Sequence, residues 1–434
     1  MIAGHLPQVS RGHIHAWTAL TAQHLGLALA WLTLAVSSIV FFEPAPFDAL
    51  MIGLILLLPL LRLTSFGSGM LLFLIVWLVI GAAGLAASTR SGAMDVSTKH
   101  VLITVYLSFS AVVIAAFVRK NPVRHTRIVV SGLMFASLLA VLAGVLGYFD
   151  VMPGAHDLFT KFGRARGTFK DPNVFGPFIV PALIYYVHGI ASAQTARVLT
   201  KAFLACLVCL GLLISFSRGA WLNAAVALLV YGYVVFIAAQ TNRFRLKLTV
   251  FAVLGIGAAI IGLAAATQID AIANLINERA ALMLSYDVGS QGRFGGQLKA
   301  FEIVAANPLG IGALEFGRAY HGEDVHNVYL SIFLNAGWLG GFLYLGLVAT
   351  TLIVAFRHAL RRTPTQGVMI VMLAAFAGVA VEGIVVDTDH WRHFYILMGV
   401  LWGLSLAWHC NPAPGPELAM STDQPMRNGR SGRI

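Results

Sequence analysis

The chain has 434 residues, of which 58% are hydrophobic and only 11% are charged, and its mean hydropathy is +0.82. This composition excludes an ordinary soluble globular domain, in which about a quarter of the residues are charged. The formal net charge of +11 is interpreted as a result of membrane topology and of contact with anionic membrane lipids, and nucleic acid is not a predicted partner.

Apolar segments of about 17–21 residues recur along the chain, and each is long enough to cross the roughly 30 Å hydrocarbon core of a bilayer. They predict an all-α fold, a polytopic helical bundle with about twelve transmembrane helices. The predicted spans are centred near residues 33, 54, 78, 109, 138, 182, 207, 229, 257, 341, 377 and 401. The first is interpreted as a retained helix and not as a cleaved signal. The bundle is predicted to cover residues 1–410, before a disordered cytoplasmic tail at 411–434.

The distribution of basic residues predicts the orientation of the bundle. With the first residue on the inner side, 17 of the 29 Lys and Arg residues fall in inner loops and 12 in outer loops. The tight clusters beside span ends, such as Arg119-Lys120 and Arg361-Arg362, all lie on the inner side. By the positive-inside rule, both termini are therefore expected in the cytoplasm.

Four polar stretches interrupt the apolar sequence, and the predicted topology brings all of them to the outer side. In chain order they are the loop 150–171 with Arg164-Ala165-Arg166-Gly167; the turn Ser217-Arg218-Gly219-Ala220-Trp221; the loop 268–325 with Gly292-Arg293 and Asn307-Pro308-Leu309-Gly310-Ile311-Gly312; and the turn Asp387–His393. The pair His326-Asn327 follows the third stretch, where a long polar segment enters an apolar run. A titratable imidazole at a membrane–water boundary indicates chemistry on a substrate that is part lipid and part water-soluble.

The three cysteines, Cys206, Cys209 and Cys410, lie in or beside apolar segments. Cys206 and Cys209 are one turn apart on a single predicted helix, so neither a disulfide framework nor a metal site is predicted. All three are interpreted as small apolar core side chains.

The outer arginines have structural as well as functional interpretations. Arg218 could be an interfacial anchor, but an ionisable group at membrane depth favours a functional role. Arg164 and Lys170 are interpreted as contacts to lipid headgroups. Arg166 precedes a glycine that would let the backbone approach a ligand closely, and for this residue both interpretations stay open.

For the histidine and the last polar turn, too, both a structural and a functional interpretation remain. His326 could cap a helix, or it could transfer a proton near neutral pH. The turn Asp387–Arg392 is as compatible with a closed, salt-bridged turn as with a functional site. Within a predicted span, Glu382 is the one acidic residue that lies deep.

Several arginines and one histidine, without an acidic pair or a metal cluster, indicate a transfer reaction on a diphosphate. The planar guanidinium binds phosphate in a bidentate way and stays charged. A histidine whose pKa is near neutrality suits general-base work on a hydroxyl. A lipid diphosphate is already a good leaving group and needs charge stabilisation. The pattern therefore predicts transfer of a sugar from a lipid diphosphate to an acceptor hydroxyl.

These stretches together resemble the O-antigen ligase and O-antigen polymerase superfamily, over about residues 160–345. Members are bacterial inner-membrane glycosyltransferases with about twelve spans and a large periplasmic loop, here residues 268–325. The segments that carry the resemblance are Arg166-Gly167-Thr168-Phe169-Lys170-Asp171-Pro172-Asn173, Ser217–Trp221, Gly292-Arg293, Asn307–Gly312, and His326-Asn327 followed by Gly337.

The resemblance implies an undecaprenyl-diphosphate-linked glycan as donor, inversion at the anomeric carbon, and neither a cofactor nor a metal ion. It implies that Arg218 and Arg166 face the donor diphosphate and that His326 is the periplasmic-loop histidine. We expect His326 and Arg218 to be catalytic. The expected substrate-binding residues are Arg166, Arg293, Asn327, Asp389, His390 and Arg392. Asp389 or His390 is expected either to orient His326 or to bind the acceptor.

The acceptor is the open question at this stage. The predicted reaction is ligation of the glycan to lipid A-core, at the periplasmic face. The alternative is a polymerase that extends lipid-linked repeat units. An alternative of another class is a transporter or flippase for the same lipid; Glu382 would be its one deep acidic residue, and no internal repeat supports it.

Overall fold

The computed structural model describes residues 11–192, 197–266, 268, 289 and 292–407. The predicted all-α fold is confirmed for these residues, since the only strands described are the short pair β1 (Thr160–Lys161) and β2 (Arg164–Ala165). The helices are α1 (Arg11–Ala35), α2 (Pro46–Leu60), α3 (Ser68–Ser88), α4 (Met94–Lys120), α5 (Pro122–Tyr148), α6 (Ala155–Phe159), α7 (Pro172–Ser192), α8 (Val198–Ile214), α9 (Arg218–Ala238), α10 (Asn242–Ala266), α11 (Arg293–Ala306), α12 (Val328–Ala359), α13 (Gln366–Glu382) and α14 (Arg392–Ala407). The predicted tail 411–434 and most of the predicted loop 268–325 before Gly292 lie outside the described residues.

Six of the described helices are long and apolar enough to cross a membrane: α3, α4, α5, α7, α9 and α12. Helices α2, α8 and α13 and the segment Leu20–Ala35 of α1 are apolar but shorter. Each of the twelve predicted span centres lies within a helix. The count of about twelve crossings is nevertheless not confirmed, and it stays a prediction.

Glycines on α14 let it pack closely on α4. A Cβ added at Gly399 would lie 2.7 Å from the Ala111 carbonyl, and one added at Gly403 would lie 2.7 Å from the Ala115 carbonyl. Glycines four residues apart are a common device for close approach of membrane helices. This contact places the beginning of α14 beside the second and third turns of α4, where His100 and Thr104 contact the residues before Arg392.

Helix α12 is interrupted at Gly337, which has φ 67° and ψ −171°. In an uninterrupted helix the Trp338 N–H would donate to the Leu334 carbonyl. Here the Trp338 N–H donates to the Pro308 carbonyl at 2.8 Å, and the Leu334 carbonyl accepts the Ile311 N–H at 2.8 Å. The loop before α12 therefore satisfies both backbone groups that the break would leave unpaired.

The loop and the broken helix touch backbone to backbone. A Cβ on Gly310 would lie 2.8 Å from the Gly337 nitrogen, and a Cβ on Gly337 would lie 2.5 Å from the Pro308 oxygen. The motif Asn307–Gly312 thus has a packing role. A small hydrophobic cluster covers this contact and packs α11 against the part of α12 that precedes Gly337. Its buried members are Ala300, Val304, Ile311, Phe316, Val325 and Leu334.

Candidate active site

The backbone around His326 is held from two directions. Its φ of 53° lies in the left-handed region, which is uncommon for a side chain other than glycine. The His326 N–H donates to Asp387 Oδ2 at 3.0 Å, and its carbonyl accepts a hydrogen bond from Gln297 Nε2 at 3.3 Å. Two residues on, the Val328 N–H donates to the Gly383 carbonyl at 2.8 Å. The histidine is therefore fixed between α11 and the turn after α13.

The imidazole of His326 lies beside the Asp387 carboxylate. Nδ1 is 3.9 Å from Asp387 Oδ2, and the His326 side chain is 37% exposed. The other carboxylate oxygen of Asp387 accepts the Ser331 hydroxyl at 2.6 Å. Because Nδ1 is the nitrogen near Asp387, Nε2 is the nitrogen available to take a proton from a substrate. Hydrogen bonds between catalytic groups are often long before substrate binds.

Local electrostatics keep this histidine neutral at pH 7. Burial, and next the positive charge of Arg293, lower the pKa of His326. Burial and the nearby charge of Asp389 raise the pKa of Asp387 to about 7, against the opposing effect of the Ser331 hydrogen bond. Neutral imidazole is the form that a general base requires.

Asn327, an expected substrate-binding residue, is the cap of α12. Its side-chain oxygen accepts the Tyr329 N–H at 3.1 Å and the Leu330 N–H at 3.2 Å. Ser331 and Asn335 follow at spacings of four residues and therefore share one face of the helix with Asn327. This polar face points towards the turn that carries Asp387, since Ser331 bonds to it.

The next acidic residue of the turn has a different partner. Asp389 Oδ2 lies 2.9 Å from His100 Nε2 on α4. The rings of His100 and His390 stack with their centroids 4.0 Å apart, and His390 Nε2 is 3.0 Å from the Thr104 hydroxyl. The structure thus brings Asp387, and not Asp389 or His390, into contact with His326.

The group His100, Asp389 and His390 could hold a metal ion. One donor atom from each lies within 4.8 Å of the others, and two imidazoles with one carboxylate suit transition metals. Although burial favours the neutral acid, the charges of His390 and His100 and a hydrogen bond from His100 hold the pKa of Asp389 well below its usual range. Burial lowers the pKa of His390.

Arg392 begins α14 and is bound to Asp48 at the beginning of α2. Its Nε and a terminal nitrogen donate to the two Asp48 oxygens at 2.8 and 2.6 Å. The Tyr106 hydroxyl donates to the same carboxylate at 3.2 Å. The salt bridge of Arg392 therefore joins the turn Asp387–Arg392 to α2, and it does not close the turn on itself.

The motif around Arg218 forms the tight turn between α8 and α9. The Ser217 hydroxyl caps α9 by accepting the Ala220 N–H at 3.3 Å. The Trp221 indole donates to the Leu212 carbonyl at the end of α8, at 3.1 Å. The hydrogen bonds of Ser217 and Trp221 thus stabilise the turn between α8 and α9.

The glycine of the same motif lies against α13. A Cβ on Gly219 would be 2.7 Å from Glu382 Oε1. The buried Glu382 accepts a hydrogen bond from Asn223 Nδ2 at 2.8 Å through its other oxygen. Arg218 is half-buried at the first position of α9.

Arg166 lies in the loop before α7. Its guanidinium donates to the Leu158 carbonyl at 3.2 Å. The following Gly167 has φ 53°, and a Cβ there would lie 2.6 Å from the Ala140 carbonyl. The glycine is therefore needed for packing on α5. No hydrogen bond or ion pair joins Arg166 to His326 within the described part of the chain.

The other basic residues of this loop have protein partners. Arg164 Nε donates to the Ser215 carbonyl at 2.9 Å, and a terminal nitrogen donates to the Asn173 side chain at 2.7 Å. Lys170 Nζ is 3.5 Å from Glu43. Arg164 thereby fastens the loop to the turn that precedes Arg218.

Arg293 is the first residue of α11, after Gly292 at the cap position. Gln297, one turn later, donates to the His326 carbonyl and to the Ile384 carbonyl, both at 3.3 Å. A Cβ on Gly296 would meet the His321 ring at 2.8 Å. Helix α11 therefore carries Arg293 towards His326, whose pKa its charge lowers.

A cavity of about 210 Å³ lies next to these groups. We call it the acidic cavity. Its polar lining is His100, Asp324, Ser331, Asn335, Asp387 and Asp389, and its apolar lining is Leu314, Phe316, Val325 and Leu334. It reaches from Asp324, which is exposed, to Asp389, which is buried.

The sequence analysis missed several residues of this arrangement. Ser331 and Asn335 were detectable, because a four-residue spacing from Asn327 predicts one polar face on an otherwise apolar helix. His100 had a weaker signal, as an imidazole within a predicted span. Gln297 had no signal, since its role depends on two backbone carbonyls.

Part of the chain is similar to a known protein family. A family model described as O-antigen ligase matches residues 202–345, from α8 into α12. No curated protein matches the chain. With its apolar helices, this match indicates a multi-pass membrane protein related to transferases of lipid-linked glycans. Over residues 202–345, which contain Arg218, Arg293 and His326, the chain is similar to the O-antigen ligases, and its resemblance to the O-antigen ligase superfamily is confirmed.

Proposed function

We propose that the protein is a glycosyltransferase that moves a glycan from undecaprenyl diphosphate to a hydroxyl of lipid A-core, at the periplasmic face of the bacterial inner membrane. Both termini would then lie in the cytoplasm. The observation that carries this proposal is the position of His326, held against Asp387 just before α12, inside the segment that matches the O-antigen ligases.

In the proposed step, His326 Nε2 takes the proton of the acceptor hydroxyl. The hydroxyl oxygen attacks the anomeric carbon as the bond from that carbon to the diphosphate oxygen breaks. The configuration at the carbon is inverted, and undecaprenyl diphosphate leaves. Asp387 stabilises the imidazolium that forms on His326, as a carboxylate does in other histidine-based sites.

Arginines would stabilise the charge that develops on the departing diphosphate. Arg218 and Arg293 begin α9 and α11, where their guanidinium groups add to the positive ends of the helix dipoles. We assign Arg166 the same role. One preorganised donor of this kind contributes about 3–4 kcal/mol to transition-state stability. Every step of the proposed reaction is assigned to His326, Asp387 and these arginines, and none to a metal ion.

The choice of lipid A-core as acceptor follows the description of the matching family model, which is O-antigen ligase. A gene deletion tests it directly. Loss of a ligase leaves bare lipid A-core together with lipid-linked polymer on a surface-glycan gel. Single repeat units on the core would instead identify a polymerase, and loss of lipid-linked glycan from the outer face would identify a transporter.

Complementation of the deletion tests the role of His326. His326→Ala is expected to abolish transfer, a fall of about 10²-fold or more, because it removes the general base. The amount of protein in the membrane should equal that of the wild type. His156→Ala, which changes an exposed histidine of α6, is the matched control and should restore transfer. An active His326→Ala variant would disprove the proposed base.

A further inference from the structure

We propose that the acidic cavity holds the acceptor sugar that carries the reacting hydroxyl, and that it selects a sugar without negative charge. This inference rests on the proposed function, because it takes His326 as the base. It goes further by naming where the acceptor binds and which sugars are excluded.

The cavity and the proposed base share a residue. Asp387 lines the cavity, and the same carboxylate receives the His326 N–H and lies 3.9 Å from the His326 ring. Val325, the neighbour of His326, also lines the cavity. A sugar bound at the Asp387 wall would therefore lie beside His326, which does not itself line the cavity, and its reacting hydroxyl would extend past that wall to Nε2.

The volume fits one sugar ring. The volume of the cavity is about 210 Å³. Pockets for larger ligands begin at about 300 Å³. A single sugar ring belongs to the smaller size class that this volume suits.

The lining matches the two kinds of surface that a sugar presents. Carboxylates and amides can bind the ring hydroxyls, and Phe316 with Leu334 offers an apolar wall for the C–H faces. The Asn335 amide makes no hydrogen bond to any residue that the structure describes, and neither does the Asp324 carboxylate. Both polar groups are therefore available to a ligand.

Charge decides which sugars can enter. Three carboxylates line the cavity: Asp324, Asp387 and Asp389. The basic side chain among the lining residues is His100, which is already bound to Asp389 at 2.9 Å. A uronic acid or a phosphorylated sugar would bring a further negative charge against these groups, and water screens the buried Asp389 less than it screens the exposed Asp324. A neutral or amino sugar avoids this repulsion.

The first experiment tests the location. Transfer is measured with the full-length protein in nanodiscs, with purified lipid-linked donor and lipid A-core acceptor at varied concentrations. Asn335→Leu removes a hydrogen-bonding group from the cavity and should raise the KM for the acceptor by about tenfold or more. The KM for the donor and the slow hydrolysis of the donor by water should not change. The control is Asn242→Leu, at an exposed position that begins α10.

The second experiment tests the charge selection. A simple hexoside and the corresponding hexuronide compete with the acceptor, and the hexoside should inhibit about tenfold more strongly. Asp324→Asn, at the exposed mouth of the cavity, should reduce this preference. Asp95→Asn, an exposed acidic residue in the first turn of α4 that does not line the cavity, should leave the preference unchanged.

The outcomes separate this inference from the proposed function. An unchanged acceptor KM in Asn335→Leu, or equal inhibition by the two glycosides, overturns the acceptor cavity even if His326 proves to be the base. Loss of a tightly bound divalent metal in Asp389→Asn, without a change in acceptor KM, would show that the cavity serves a metal. Activity of His326→Ala would instead overturn the proposed function.

Discussion

At the residue scale, the chemistry of His326 depends on groups that lie far away in the chain. Asp387 is 61 residues later in the sequence, and it binds both the backbone and the ring region of His326. Burial lowers the pKa of the histidine and raises that of the aspartate to about 7. As the pH rises, His326 therefore loses its proton before Asp387 does, and near pH 7 a neutral imidazole lies beside a carboxyl group that is ionising.

The pH dependence of transfer should report this order. Below pH 7 Asp387 is protonated, and above it the carboxylate can stabilise the imidazolium of His326. The rate should therefore rise with pH through about 7. In Asp387→Asn the rise in rate near pH 7 should disappear. A rise set by the titration of His326 should remain, below the ordinary histidine pKa of 6.5. The rate of this variant should be at most about tenfold lower than that of the wild type. Profiles of kcat against pH for both proteins measure this.

A control separates ionisation from folding in that experiment. Asp387→Glu keeps an ionising carboxylate and should retain a rise in rate with pH, even where its rate is reduced. An unchanged profile in Asp387→Asn would show that the carboxylate does not act on the base.

The sequence predicted part of this site for physical reasons. It singled out His326, Arg218 and Arg293, because charged and titratable residues beside apolar segments are conspicuous, and the roles of these residues stay predictions. It did not assign Asp387 to His326, since a turn with two aspartates and two histidines offers several pairings. The partner of Arg392 was also hidden, because Asp48 is 344 residues away.

At the element scale, the break in α12 is the feature that shapes the site. Hydropathy placed each of the twelve predicted span centres within a helix, because apolar length is a local property of the sequence. It could not locate the break, since an apolar run looks the same on both sides of Gly337. The break depends on the backbone of Pro308 and Ile311, in a loop that precedes the helix.

Substitution of this glycine should weaken the fold. Gly337→Ala would force a side chain into positive φ and place its Cβ 2.5 Å from the Pro308 oxygen. We expect a loss of about 1–3 kcal/mol in the free energy of unfolding, measured by denaturation of the purified protein in detergent.

The same helix supplies the control. Gly346 has open space around it, so Gly346→Ala should be neutral or slightly stabilising, because alanine favours a helix over glycine by about 1 kcal/mol. Equal effects of the two substitutions would show that α12 is continuous.

At the scale of the whole molecule, one ion pair joins the first and last parts of the bundle. Arg392 binds Asp48 with two hydrogen bonds, and both side chains are largely buried. Removal of one partner leaves the other charge buried and unpaired, which costs about 3–5 kcal/mol. Removal of both leaves no such charge.

A double-mutant cycle therefore tests this connection. Asp48→Asn and Arg392→Gln should each lower the unfolding free energy by about 3 kcal/mol, while the double variant should lose clearly less than the sum. Thermal unfolding in detergent measures all four proteins. Additive losses would mean that the pair does not hold the two helices together.

The break at Gly337 also separates His326, the proposed base, from the part of α12 that is long enough to cross a membrane. Residues 338–359 alone extend over about 33 Å at 1.5 Å per residue, which matches the hydrocarbon core without the outer part of α12. The segment 328–336 is bonded to the loop 308–312 instead. Lipids with longer or shorter chains would change the tilt of the segment 338–359, as hydrophobic mismatch does. His326 would keep its position relative to Asp387.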